Sequence, residues 1–95
     1  MMSSLEIETG AVVPSEKVMM IYLASMKSRA GVWTMTGPAK KIKARALAED
    51  KYFKLAKSGP VRCFVMMDES TGGAVFAVST SHGTLNRKFE KARGG

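Results

Sequence analysis

Eight basic residues lie close together in the middle of the sequence, and their type and spacing suit the binding of an anion. They are Lys40, Lys41, Lys43, Arg45, Lys51, Lys54, Lys57 and Arg62, and within residues 37–62 only Glu49 and Asp50 oppose them. Concentrated positive charge on an ordered segment is typical of proteins that contact nucleic-acid phosphates. A solvated helix face carries the same pattern, so the charge alone leaves both interpretations open.

The other reactive side chains do not form a catalytic pattern. Asp68 and Glu69 are adjacent in a predicted loop, where paired carboxylates are normally solvated. Cys63 is the only cysteine and His82 the only histidine, which leaves too few ligands for a four-coordinate zinc site. The Gly72–Gly73 pair precedes a predicted strand, whereas a phosphate-binding loop precedes a helix. We therefore expect a protein that is not an enzyme and that needs no cofactor or metal.

The composition predicts one small, ordered domain. A chain of 95 residues has room for a single hydrophobic core, and a hydrophobic content of 45% argues against disorder. The net charge of +7 indicates acidic partners. The longest apolar run, Val18–Ala24, is far shorter than the roughly 20 residues that cross a bilayer, and residues 1–8 lack the features of a secretion signal. Together with the lone cysteine, this predicts a cytoplasmic protein with no membrane contact.

Turn and capping signals divide the first half of the chain into elements. Residues 1–14 read as a loosely ordered arm or an edge strand. A first helix is expected over Glu16–Arg29, because a capping serine precedes it and basic residues occupy its last turn. A short strand is predicted over Val32–Thr36, before a Gly-Pro pair. One domain then spans residues 15–92, and residues 93–95 form a tail.

The second half of the chain combines a basic helical segment with a hairpin. Residues 39–58 are rich in Ala, Lys and Leu, which favours either one helix or two helices with a break near residues 44–48. Strands over Val61–Met67 and Ala74–Thr80, joined by a loop over residues 68–73, form the predicted hairpin. A short capped helix then closes the chain.

A second architecture fits the same residues. A shift of 43 residues aligns Ile21 with Phe64, Trp33 with Phe76 and Ile42 with Leu85. This periodicity predicts a duplicated ββα unit with a four-stranded antiparallel sheet. In that fold residues 18–26 form a strand, so the sequence leaves open whether residues 16–29 are helix or strand.

The order of helix, short strand, basic helix or helix pair, hairpin and helix resembles the winged helix-turn-helix domains of bacterial transcription regulators, including the MarR and PadR groups. The segment Leu55–Arg62 is similar to the end of a recognition helix that enters the first wing strand. The segment Val78–Leu85 is similar to the second wing strand and the turn into the final helix. The resemblance implies an α+β winged-helix fold, with residues 68–73 at the wing tip and duplex DNA as the ligand.

Charge and resemblance together predict a non-enzymatic nucleic-acid-binding protein that acts in transcription regulation, on DNA rather than RNA. The residues expected at the interface are Lys40, Lys41, Lys43 and Arg45 beside the groove, Lys51, Lys54 and Lys57 on the recognition helix, and Arg62 after it.

Acidic residues favour an alternative function. Glu49 and Asp50 begin the expected recognition helix, and Asp68 and Glu69 lie at the wing tip, where they would repel phosphates. The alternative is a small adaptor or inhibitor that docks on an acidic surface of a protein such as RNA polymerase. The residues leave open whether the protein forms a homodimer.

Overall fold

The computed structural model describes residues 3–57 and 59–94 and shows an α+β domain with mixed sheets. Its elements, in chain order, are β1 (Ser4–Glu8), β2 (Ala11–Pro14), β3 (Val18–Leu23), β4 (Ser25–Lys27), β5 (Trp33–Met35), α1 (Gly37–Ala48), β6 (Tyr52–Lys54), β7 (Cys63–Met67), β8 (Val75–Val78) and α2 (His82–Gly94). Neither of these helices is long and apolar enough to cross a membrane, among the residues described.

A four-stranded sheet with the order β3-β7-β8-β6 forms the centre of the domain. The pairs β3–β7 and β7–β8 are antiparallel, and β6 runs parallel to β8. Val65 pairs with Ile21 on one side and with Phe76 on the other, and Phe76 in turn pairs with Phe53. Two smaller antiparallel sheets, β1–β2 and β4–β5, lie beside it. This order places β3 and β6 at the two edges of the sheet.

The central sheet is covered on both faces. On one face the β1–β2 hairpin and α2 pack around Leu5, Ile7, Val65 and Leu85. On the other face α1 packs around a second cluster that includes Phe64. Strand β7 lies between the two clusters, and its first three residues, Cys63–Val65, are fully buried. This explains why β7 is a continuous apolar run rather than an alternating one.

Helix α1 has clear signals at both ends. The Thr36 hydroxyl accepts the backbone N–H of Ala39 at 3.2 Å, and Pro38 occupies the first turn. At the other end the N–H of Lys51 donates to Ala46 O and the N–H of Asp50 donates to Leu47 O. These two bonds form a Schellman motif, in which Asp50 adopts the left-handed conformation at φ 57°.

The helix predicted over Glu16–Arg29 is wrong, because these residues form strands β3 and β4 after a 3-10 turn. The prediction rested on the capping serine and on the basic residues in the last turn, and the run Val18–Ala24 between them is apolar at every position. The structure accommodates these side chains differently: the register of β3 shifts between Val18 and Met20, and the edge position leaves Met19, Met20 and Leu23 exposed. A bulged edge strand therefore imitates the pattern of a buried helix.

The helix predicted over residues 39–58 ends at Ala48, and residues 52–54 form β6 instead of a recognition helix. The Schellman motif ends α1, and parallel pairing of β6 with β8 draws the next residues into the sheet. The predicted hairpin and the last helix are confirmed. The winged-helix order is not confirmed, because strands β3 and β4 stand in place of the first helix and β6 stands in place of the recognition helix. Two hairpin-plus-helix units do occur, but the central sheet is not built from their four hairpin strands, and β6 joins it in parallel.

The sequence left open whether residues 1–14 form a loosely ordered arm or an edge strand. In the structure residues 4–14 form a hairpin that places Leu5 and Ile7 in the core.

Candidate nucleic-acid interface

Helix α1 presents a basic outer surface. Ala39 and Ala46 are buried against the sheet, and Ile42 is partly buried between them. With 3.6 residues per turn, this arrangement directs Lys40 and Lys41 away from the sheet, where both are exposed. Neither lysine has an ion pair within residues 3–57 and 59–94. Their charges are therefore available to a ligand.

The two lysines also lie at the end of α1 where positive charge is least favourable. The aligned peptide dipoles make a helix N-terminus electropositive, so acidic residues stabilise it and basic residues destabilise it. The first turn of α1 contains no acidic residue. This placement of Lys40, and less strongly of Lys41, works against helix stability.

Lys43 and Lys54 extend the basic surface from α1 to strand β6. The Lys43 ammonium lies 5.5 Å from the centre of the Tyr52 ring, close enough for a cation–π contact. Burial raises the pKa of the Tyr52 hydroxyl. Lys54 is exposed two residues along β6, on the same side of the strand as Tyr52. The structure thus brings four predicted interface lysines to the same side of the sheet: Lys40, Lys41 and Lys43 on α1, and Lys54 on β6.

Arg45 and Lys51 are engaged with an acidic residue. Arg45 Nε lies 3.2 Å from Glu49 Oε2, and Lys51 Nζ lies 3.4 Å from Glu49 Oε1. Hydrogen bonds from Arg45 and then Lys51 hold the pKa of the Glu49 carboxyl below its ordinary value. Part of the charge of this end of α1 is therefore neutralised.

Lys57 and Arg62 have separate places in the fold. A Cβ on Gly10 would lie 3.9 Å from Lys57 Nζ, so this lysine lies against the β1–β2 turn, on the opposite face from α1. The Arg62 guanidinium lies 4.6 Å from the centre of the Trp33 ring, and its Nε is buried with no hydrogen-bond partner among the described residues. Arg62 therefore packs on Trp33.

The residues considered for chemistry have structural roles. Burial raises the pKa of the Cys63 thiol to about 11, so it stays protonated in the core. Asp68 accepts the N–H of Ser70 at 2.6 Å and caps a short turn, and hydrogen bonds from the Ser70 side chain and then from its backbone N–H lower the pKa of Asp68. His82 begins α2 and contacts the Asn86 amide at 3.0 Å. In the described part of the chain, no group of three or more His, Cys, Asp or Glu residues is placed to hold a metal ion.

Two features of the surface were not predicted from the sequence. Phe53, on the edge strand β6, is 47% exposed and packs on Phe76. Helix α2 also carries exposed cations, Arg87 and Lys91 among them, on the opposite side of the sheet from α1. The local excess of positive charge after residue 82 was a signal for the second feature. Nothing in the sequence distinguished Phe53 from a core residue.

No protein-family model matches this chain, and no curated protein is significantly similar to it in sequence. The functional argument therefore rests on the geometry of the side chains described above.

Proposed function

We propose that this protein is a non-catalytic nucleic-acid-binding protein whose main contacts are made between phosphates and the basic surface of α1 and β6. The residues that make these contacts are Lys40, Lys41, Lys43 and Lys54. DNA is the first candidate ligand and transcription regulation the proposed role, both on the strength of the resemblance of the hairpin and its flanking segments to a wing. The binding itself is supported by geometry.

The observation that carries the proposal is the position of Lys40 and Lys41. They are the fourth and fifth residues of α1, both exposed and without an ion pair among the described residues, near the helix end where the dipole disfavours positive charge. A phosphate near this turn would interact with both ammonium groups and with the electropositive helix end. Stability alone would favour acidic residues at these positions.

Salt dependence and charge reversal test the proposal together. With about four phosphate contacts, one for each lysine, the logarithm of the affinity should fall against the logarithm of salt concentration with a slope of about −4. We expect the double variant Lys40→Glu/Lys41→Glu to lose most of its affinity for a labelled duplex in fluorescence anisotropy.

The matched control is Arg87→Glu/Lys91→Glu on α2, which changes the net charge equally on the opposite side of the sheet. We expect this control to weaken binding much less. Equal losses in both variants would show that only total charge matters and would refute the assignment to α1.

A protein partner is the second candidate, and the edge strand β3 favours it. Met19 is 60% exposed and Met20 46% exposed on this strand, and β3 ends the central sheet. An edge strand with apolar side chains can add a strand from another protein. Affinity capture from lysate, with and without nuclease, separates the candidates: a stoichiometric protein that stays bound after nuclease treatment supports the adaptor function.

A further inference from the structure

Strand β6 carries an exposed aromatic ring beside lysines. Phe53 is 47% exposed, although a phenylalanine is among the residues most often buried. Its ring centre lies 5.7 Å from that of Phe76, and the two ring planes are inclined by 37°. The two residues are register partners on the parallel strands β6 and β8. The ring thus packs on Phe76 and is about half exposed.

Phe76 connects the Phe53 ring to the hydrophobic core. It is partly buried and packs against the core cluster formed by Leu5, Ile7 and their neighbours. Leu55, two residues after Phe53, packs against the same cluster. Because side chains alternate along a strand, Phe53 lies on this face of the sheet as well, beyond the edge of the core. A half-exposed aromatic ring that packs on a neighbouring aromatic residue of the core can stack on a planar group.

The charges near Phe53 indicate which kind of planar ligand the ring would bind. Lys54 follows it directly, and Lys51 and Lys57 lie two residues before and four residues after it. Strand β6 has no acidic residue. The nearest acids in sequence are Glu49, which is paired with Arg45 and Lys51, and Asp50. The Glu8 carboxylate, which faces Lys57, is buried and accepts the backbone N–H of that residue. Lys57 lies on the same face of the sheet as the ring, and Lys54 lies at the same edge but on the other face; neither lysine has an ion pair among the residues described.

We propose that Phe53 is a stacking platform for an unpaired base, that Lys57 contacts a phosphate on the same face of the sheet, and that Lys54 contacts a neighbouring phosphate where the nucleic-acid strand crosses the edge of the sheet. The ligand class is therefore a single-stranded segment of DNA or RNA, which deepens the proposed function and rests on it. Base stacking on an aromatic side chain needs no particular base, because every base has a π face, so the site is expected to tolerate many sequences. In a duplex the bases are already stacked on one another and cannot reach the ring.

The test compares two substitutions at Phe53. Phe53→Leu removes the aromatic face and keeps an apolar side chain, whereas Phe53→Trp keeps an aromatic face. Each is titrated against labelled oligo-dT, oligo-U and a duplex by fluorescence anisotropy. We expect Phe53→Leu to weaken binding of the single strands about 10-fold and to leave duplex binding within about 2-fold, and Phe53→Trp to bind like the wild type. Comparison of oligo-dT with oligo-U shows which sugar the site prefers.

Two controls keep the test decisive. Met26→Ala removes another exposed apolar side chain, 61% exposed on β4, and should not change any affinity. Stacking should also quench the tryptophan emission of Phe53→Trp when oligo-dT is added, beyond any change seen in the wild type, which has Trp33 alone.

The failure of this inference differs from the failure of the proposed function. If Phe53→Leu binds single strands as tightly as the wild type while Lys40→Glu/Lys41→Glu loses affinity, the stacking platform is refuted and the phosphate-binding surface stands. If the wild-type protein binds none of the three probes at low salt, the proposed function and the platform are both refuted.

Discussion

The Glu8 carboxylate accepts two hydrogen bonds of 2.7 Å from Ser79, one from the backbone N–H and one from the hydroxyl. The two residues are 71 positions apart and both are buried. The backbone N–H groups of Lys57 and Thr80 also donate to this carboxylate. One side chain thus joins the first hairpin to the chain after β8 and to the loop after β6, next to the proposed base-stacking site.

Glu8→Gln should destabilise the domain. A neutral amide is a weaker acceptor than a carboxylate, and its NH2 group would face buried N–H donors. Loss of charge-assisted hydrogen bonds predicts a decrease of about 2 kcal/mol in the free energy of unfolding, measured by urea denaturation. Glu6→Gln is the matched control, since Glu6 is on the same strand but half exposed and 3.8 Å from Lys88. An equal effect of the two substitutions would contradict the structural role of Glu8.

The stabilising effect of Glu8 should depend on pH. Burial raises the pKa of this carboxyl, but the hydrogen bonds from Ser79, Lys57 and Thr80 outweigh burial and hold the pKa below its ordinary value of 4.5. A group with a lowered pKa in the folded state stabilises the fold above its unfolded pKa, and this contribution is lost as the pH falls through the folded pKa. The difference in unfolding free energy between wild type and Glu8→Gln should therefore be constant from pH 7 to about 5.5 and shrink below pH 4.5. A difference that grows towards low pH would reverse the sign and refute this account.

The parts of the fold that were predicted correctly are those with local signals. The Gly37–Pro38 pair marks the start of α1, and the loop over residues 68–73 marks the hairpin β7–β8. The parts that were missed depend on the sheet. Residues 18–27, for which the sequence left helix or strand open, become strands because β7 supplies a partner for β3, and residues 52–54 become a strand because they pair with β8. Pairing between distant residues overrides local helix propensity, and a single sequence does not reveal it.

Asp50→Gly should stabilise the protein. Asp50 occupies the position after the end of α1 at φ 57°, where a side chain is strained and glycine is not. Removal of this strain predicts a gain of about 0.5–1 kcal/mol in the free energy of unfolding, measured by urea denaturation. Asp50→Ala removes the same charge but keeps a Cβ, so it should not give this gain. If alanine stabilises as much as glycine, the effect is electrostatic and the conformational explanation is wrong.

The candidate site was predicted in part, and the reason is geometric. The charge of residues 37–62 was visible in the sequence, and Lys40, Lys41 and Lys43 do lie on the exposed surface of α1. The sequence does not show which cations are engaged inside the molecule. Arg45 reaches Glu49 at the helical i,i+4 spacing, Lys51 reaches it across the turn that ends α1, and Arg62 lies over Trp33, which is distant in the sequence.

Arg62 should matter for stability and not for binding. Its guanidinium packs over Trp33, and a double-mutant cycle with Arg62→Met and Trp33→Leu should give a coupling energy of about 0.5–1 kcal/mol. The methionine variant should also shift the tryptophan emission, since Trp33 is the only tryptophan. We expect its affinity for nucleic acid to stay within about 2-fold of wild type at matched salt. If the methionine variant loses as much affinity for nucleic acid as Lys40→Glu/Lys41→Glu, Arg62 belongs to the interface and this prediction is wrong.

The charge reversal on α1 should separate stability from binding. Lys40 and Lys41 lie at the electropositive end of α1, so Lys40→Glu/Lys41→Glu should raise the free energy of unfolding by about 1 kcal/mol while it weakens binding. The α2 control has the opposite sign, because Lys91 lies in the last turn of its helix, where positive charge is favourable. Arg87→Glu/Lys91→Glu should therefore lower stability and largely retain binding. Thermal unfolding followed by circular dichroism at low salt measures both variants, and the two shifts should shrink together as salt screens the helix ends. If the α1 variant loses both stability and binding, its weaker binding reflects unfolding, and Lys40 and Lys41 have no demonstrated role in contacting a ligand.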